Sequence, residues 1–212
     1  MSKTDFLRPN ALGDLRAEAD EEMLSRAFLE TADYRTLIET SDRTVVVGRR
    51  GTGKSALAAQ LARHWSLENL TAVIKISPEE HQTIGIRPQI GLFGDSFTKI
   101  RAGARLTWRY ALALEAASRL ASIPRFFNTD GFQFLRERVR TWSGSGSDIV
   151  DRYSETLKQV VDPNLTYESR IGNLPKLLDL TRVESALTEA CRTSSTSAVF
   201  LIDRLDEGYE PD

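Results

Sequence analysis

The spacing of apolar positions changes period several times along the chain, and each change predicts an element. Met23, Leu24, Ala27 and Phe28 recur at three-to-four spacing between acidic residues, which predicts an amphipathic helix. A shorter turn follows with Tyr34, Leu37 and Ile38 inward, closed by the polar Ser41-Asp42-Arg43. Thr44–Val47 is short and β-branched and predicts a buried strand. From Gly53 to Trp65 the period returns to helical, with Leu57, Leu61 and Trp65 on one face. Thr71–Ser77 (TAVIKIS) predicts a second strand. The stretch from His81 to Phe97, interrupted by Gly85, Pro88, Gly91 and Gly94, predicts a loop or irregular hairpin.

The second half is mainly helical in pattern. Leu106, Tyr110, Leu114, Ala117 and Ala121 form one stripe in a helix from Phe97 to Ser122, which Pro124 ends. Gly131–Thr141 predicts another helix. SGSGSD (143–148) reads as a flexible break or a helix start with Asp148 as its cap, leading into a helix over Ile149–Val161. Thr181–Glu184 (TRVE) has the spacing of a capping box, with Val183, Leu187, Ala190 and Cys191 inward behind it. Ala198–Ile202 predicts the last strand. Strands alternating with helices argue for an α/β fold with a parallel sheet.

The turn between the first strand and its helix carries the most specific chemistry. Gly48-Arg49-Arg50-Gly51-Thr52-Gly53-Lys54-Ser55 matches G-x-x-x-x-G-K-[ST] at every defined position. Glycines let a backbone wrap a phosphate with its N–H groups inward, and the following helix adds its positive end. Gly48, Gly51, Thr52, Gly53, Lys54, Ser55 and Leu57 are the expected nucleotide-binding residues. Lys54 is placed on the β/γ-phosphates and Ser55 on Mg²⁺. Arg49 and Arg50 fill variable positions and read as solvent-facing.

A second acidic motif ends the last strand. In AVFLID the apolar run Val199–Ile202 delivers Asp203 to the strand's carboxyl end, where open α/β sheets hold ligands. Asp203 is the expected second metal residue. Arg204 follows it, and the next acids are Asp206 and Glu207.

These two blocks resemble P-loop ATPases of the additional-strand class, in particular the NACHT-type STAND and KAP-type ATPases. The lead-in LETADYRTLIETSD is similar to the segment before the phosphate loop in their bacterial members. The resemblance implies a three-layer α/β/α P-loop core that binds ATP with Mg²⁺. It also implies hydrolysis with Asp206 or Glu207 positioning water beside Lys54, and a switch or motor role, as in antiphage defence. It implies a homo-oligomer or a downstream effector domain as partner. The middle of the chain has no such likeness. Residues 1–43 are read as a helical lead-in and 44–96 as the first part of the core. Residues 97–192 are read as a helical insertion or lid, and 193–212 as the acidic strand and the start of the remaining core. Because Asp203 lies far from Lys54 and near Asp212, the chain is expected to be an N-terminal fragment of a longer ATPase.

Composition narrows the alternatives. The chain of 212 residues has 30 acids against 28 bases, a net charge of −2, so no global field draws it to nucleic acid or membrane. Arg101, Arg105 and Arg109 share a helix face, and RERVR (136–140) is a second basic run. Both read first as solvated faces and second as contacts of a nucleic-acid motor. One cysteine and no leader-like segment favour a cytoplasmic protein. His64 and His81 lack zinc-type spacing and read as surface or core-edge residues. Trp108 and Trp142 read as core or half-buried aromatics. No N-K-x-D, D-x-x-G or LSGGQ-like sequence is present, which disfavours GTPases and transporter ATPases. A small-molecule kinase is disfavoured because no acceptor site is visible. A nucleotide-binding scaffold without turnover is the principal rival.

Overall fold

The structure is a computed structural model that describes residues 28–39, 45–49, 51–78 and 80–203. It is mixed α/β and mostly helical, and it divides into two units, 1–68 and 69–212.

The first unit holds α1 (Ala32–Glu39) and α2 (Lys54–Ser66). Tyr34 is buried on α1 and meets Phe28 edge-on at a centroid distance of 5.1 Å. Of the face predicted for α2, Leu61 is buried and Leu57 and Trp65 are half-buried, and Ala62 is buried beside them. The predicted strand does not form. Val45–Val47 has no ladder partner among the described residues, which leave out Thr44, and Val45 and Val47 are 79% and 90% exposed. A triplet of β-branched residues suits a strand, but a strand exists only where another supplies its hydrogen bonds. The apolar stripe at Met23–Ala27 lies outside the described residues.

The second unit contains β1 (Thr71–Ile76), α3 (Glu80–Gly91), α4 (Phe97–Leu120) and α5 (Pro124–Phe127). It continues through α6 (Asp130–Gly144), α7 (Ile149–Val160), α8 (Tyr167–Leu177), α9 (Leu180–Ser194) and β2 (Ser197–Ile202). The two strands pair in parallel, from Thr71 opposite Ser197 to Ile76 opposite Ile202. Parallel neighbours need a long crossover, which α3 to α9 supply. Ile74 and Ile76 are buried in a cluster with Leu114, Ala117 and Leu120 of α4, Leu135 of α6, Tyr153 of α7 and Val183 of α9. The predicted stripe of α4 therefore faces the core. Val73, Val199 and Leu201 on the alternate strand positions are only half-buried.

Local chemistry explains several boundaries. Asp148 caps α7, its Oδ1 accepting from the Val150 and Asp151 amides at 2.8 and 3.0 Å, as its position predicts. Thr129 and Thr166 cap α6 and α8 in the same way. Pro124 falls after α4 and opens α5 at a position where its missing N–H costs nothing.

Three expectations are corrected. Residues 80–91 are helical rather than a loop, despite Gly85 and Pro88, because burial of Ile86 against the core outweighs weak local propensity. The segment 167–177 forms a further helix that apolar spacing did not reveal, with Leu174 fully buried. The Thr181–Glu184 capping box is absent. α9 starts at Leu180 behind Asp179, a left-handed residue with φ 49° and no capping side-chain bond, and Glu184 turns to Arg109 instead. Among the described residues no helix is long and apolar enough to cross a membrane.

Candidate nucleotide-phosphate site

The glycine turn adopts the backbone that its composition permits. Gly51 and Gly53 have φ of 84° and 85°, the left-handed region that other residues enter at a cost. Gly53 is the residue at which α2 begins, and the Leu57 amide donates to its carbonyl at 2.8 Å. Gly48 is required for a different reason. A Cβ there would lie 2.8 Å from the Thr52 hydroxyl oxygen. That hydroxyl and the Thr52 amide both donate to the Arg49 carbonyl, at 2.8 and 3.3 Å, closing the turn on itself.

Two features give this turn the character of an anion site. The N-terminus of α2 has no side-chain cap and no acidic residue in its first turn. Its leading amides thus keep the partial positive charge of a helix end. Lys54 stands at the first helical position, and its Nζ donates to the carbonyls of Gly48 at 2.8 Å and Arg49 at 3.1 Å. An ammonium has three N–H bonds, so one remains for an incoming acceptor while the lysine is already held over the turn. Ser55 follows it on the first turn of α2, half-buried.

In the second unit Asp203 leaves the carboxyl end of β2, and its amide donates to the Ile76 carbonyl at 2.9 Å. The parallel ladder thus carries one bond past Ile202 and places Asp203 at the strand end as its sequence position predicts. Asp206 and Glu207 lie outside the described residues. The structure places Lys54 and Ser55 in the first unit and Asp203 in the second.

The basic runs are partly consumed inside the protein. Arg109 makes two bonds to Glu184, at 2.8 and 2.6 Å, whereas Arg101 and Arg105 stay exposed. Arg138 pairs with Asp179 and Arg140 with Glu137, and Arg136 lies over the Phe127 ring. Trp108 stacks on Tyr153 at 4.3 Å, and Trp142 is buried.

One polar centre was not visible in the sequence. Glu115, in the apolar stretch ALEAAS of α4, is 2% exposed. Its Oε1 accepts from Arg119 Nε at 3.0 Å, and its Oε2 accepts from Trp142 Nε1 at 2.9 Å and Arg152 Nη1 at 2.8 Å. Burial alone would raise its pKa. The bonds from Trp142 and Arg119 and the charges of Arg152 and Arg119 outweigh that and hold it below the usual carboxylate value. Only the Arg119 spacing, one turn on, could have signalled the group.

No protein-family model and no solved structure matches the chain. It is similar to an Escherichia coli (strain K12) protein named "Putative transposon gamma-delta 80.3 kDa protein", 42% identical over 206 residues. That match covers 97% of this chain and 29% of the relative, so the chain spans less than a third of the relative's length.

Proposed function

We propose that the chain carries the ATP-binding part of a P-loop ATPase of the STAND/KAP-like kind, built on the three-layer α/β/α core of that class. The observation that carries this reading is the turn at the head of α2. Its two glycines have positive φ, the helix end behind it is uncapped, and Lys54 is anchored to the turn's own carbonyls. Such a turn favours a phosphate because it offers donors and no carboxylate. The parallel pairing of β1 with the acid-tipped β2 supports the same reading, since ligands of open parallel sheets sit at carboxyl strand ends.

In this proposal the amides of Gly51, Thr52, Gly53 and Lys54 and the Lys54 ammonium bind the phosphates, with Leu57 behind them. Ser55 and Asp203 hold Mg²⁺. The metal, when bound, neutralises charge on the phosphate oxygens. Asp206 or Glu207 orients the attacking water. Turnover then rests on placement and charge stabilisation, and the phosphate state biases the helices of the second unit or a partner. A homo-oligomer or a downstream effector domain and a cytoplasmic site of action belong to the same proposal. A setting in mobile-element or antiphage biology rests on the family resemblance and on the relative's transposon name.

Titration with a fluorescent ATP analogue tests the reading. Binding in the presence of Mg²⁺ should be lost in Lys54→Ala and weakened in Asp203→Asn. Equal affinity of Lys54→Ala and the parent would refute it. Tight binding without phosphate release on prolonged incubation would instead favour a scaffold that holds nucleotide without turnover.

A further inference from the structure

A cavity of ≈ 280 Å³ lies wholly within the second unit at the carboxyl end of β1. Ile76, Ser77 and Pro78 form one wall, and Gln82, Asp148 and Arg119 belong to the others. Ile76, whose carbonyl takes the Asp203 amide, belongs to its lining.

Both carboxylates at this cavity already receive donors. Glu115, which also lines it, receives three donors, from Arg119, Trp142 and Arg152. Asp148 receives the amides of Val150 and Asp151 on one oxygen and Gln82 Nε2, at 2.5 Å, on the other. Donors remain for a ligand. Arg119 is bound to Glu115 through Nε only, which leaves the two terminal nitrogens of its guanidinium as a fork. Its side chain is 59% exposed, so a solute reaches it. Lys75 and Ser77 also belong to the lining. The volume falls just below the roughly 300 Å³ at which pockets for drug-sized ligands begin. A small anion fits this combination better than a whole nucleotide does.

We propose that this cavity is a phosphate-binding subsite in which Arg119, held by the buried Glu115, is the principal donor. A guanidinium fork matches two oxygens of a phosphate, and a buried carboxylate behind it fixes its orientation without consuming the fork. The phosphate is either free in solution or the terminal group of a nucleotide. The proposal does not depend on the phosphate turn around Lys54.

Trp142 supplies a reporter, because its indole N–H bonds to the same carboxylate that holds Arg119. The experiment follows the three indole N–H resonances by NMR, with Trp142 assigned from Trp142→Phe. The full chain is titrated with inorganic phosphate or with ATP, against chloride at matched ionic strength. The Trp142 resonance should shift saturably, and the apparent affinity should fall at least about tenfold in Arg119→Gln, which removes the charged fork at an exposed position. A response to inorganic phosphate that survives Lys54→Ala identifies free phosphate as the ligand. A response to ATP without one to inorganic phosphate, lost in Arg119→Gln, identifies the terminal phosphate of a nucleotide. No phosphate-specific shift in the parent, or an unchanged response in Arg119→Gln, overturns the proposal. So does a response to inorganic phosphate lost in Lys54→Ala but kept in Arg119→Gln, which would place the anion in the Lys54 turn.

Discussion

Removing the Glu115 carboxylate should cost more stability than any exposed charge change in the chain. Glu115→Ala leaves Arg152, whose side chain is 14% exposed, and the buried Trp142 indole N–H without their shared acceptor. Deleting one partner of a buried ion pair costs about 3–5 kcal/mol, because the charge left behind has neither water nor a counter-ion. A stability change of 1 kcal/mol moves the melting temperature of a 150- to 250-residue protein by about 2–4 °C. The expected fall is therefore on the order of 10 °C, read by differential scanning calorimetry at neutral pH. Glu115→Gln keeps one oxygen acceptor and should lose less. The pH dependence has a definite sign. The folded pKa of Glu115 lies below its ordinary value, so its stabilisation is fully present above the ordinary Glu range near about 4.3. It is lost as the pH falls through the depressed folded value. The gap between the parent and Glu115→Gln should thus narrow in acid. A fall of less than about 3 °C for Glu115→Ala, with no dependence on pH, would refute the buried network.

Two further substitutions probe the packing. Gly131→Ala places a Cβ 2.4 Å from the Ala186 carbonyl oxygen and 3.1 Å from the Ala190 Cβ, so α6 and α9 must separate. It should destabilise by about 1–3 kcal/mol in chemical denaturation, whereas Gly144→Ala, which meets nothing, should not. Tyr153→Phe removes the 2.7 Å bond between the Tyr153 and Thr107 hydroxyls, while Thr107 keeps its bond to the Gly103 carbonyl. The loss should be about 0.5–1.5 kcal/mol. Burial pushes the Tyr153 phenol well above its ordinary value, so its stabilisation is complete below about pH 10 and is lost as the pH rises further. The parent and Tyr153→Phe denaturation curves should therefore converge in alkali.

What could be read from sequence was whatever a residue decides within a turn or so of itself. Gly51 and Gly53 announce positive φ because few other residues tolerate it, and Asp148 announces a helix start because its side chain reaches two amides nearby. The stripe ending at Ala117 and Ala121 announces the buried face of α4. What could not be read depends on distant partners. Val45–Val47 has the composition of a strand, but composition does not supply a ladder. Gly85 and Pro88 read as a break until Ile86 is seen to be buried. Thr181 and Glu184 have capping-box spacing, yet Glu184 is better satisfied by Arg109, which lies on another helix. Glu115 looks like an exposed charge in an alanine-rich helix until Trp142 and Arg152 are brought to it by the fold.

Hydrogen–deuterium exchange of the peptide spanning Gly48–Leu57, with and without Mg-ATP, addresses the central proposal most directly. If the turn cradles phosphate, the backbone amides of this peptide should gain protection on ATP addition. Lys54→Ala should abolish that gain. Unchanged exchange across this peptide at saturating Mg-ATP, or equal protection in Lys54→Ala, would contradict it.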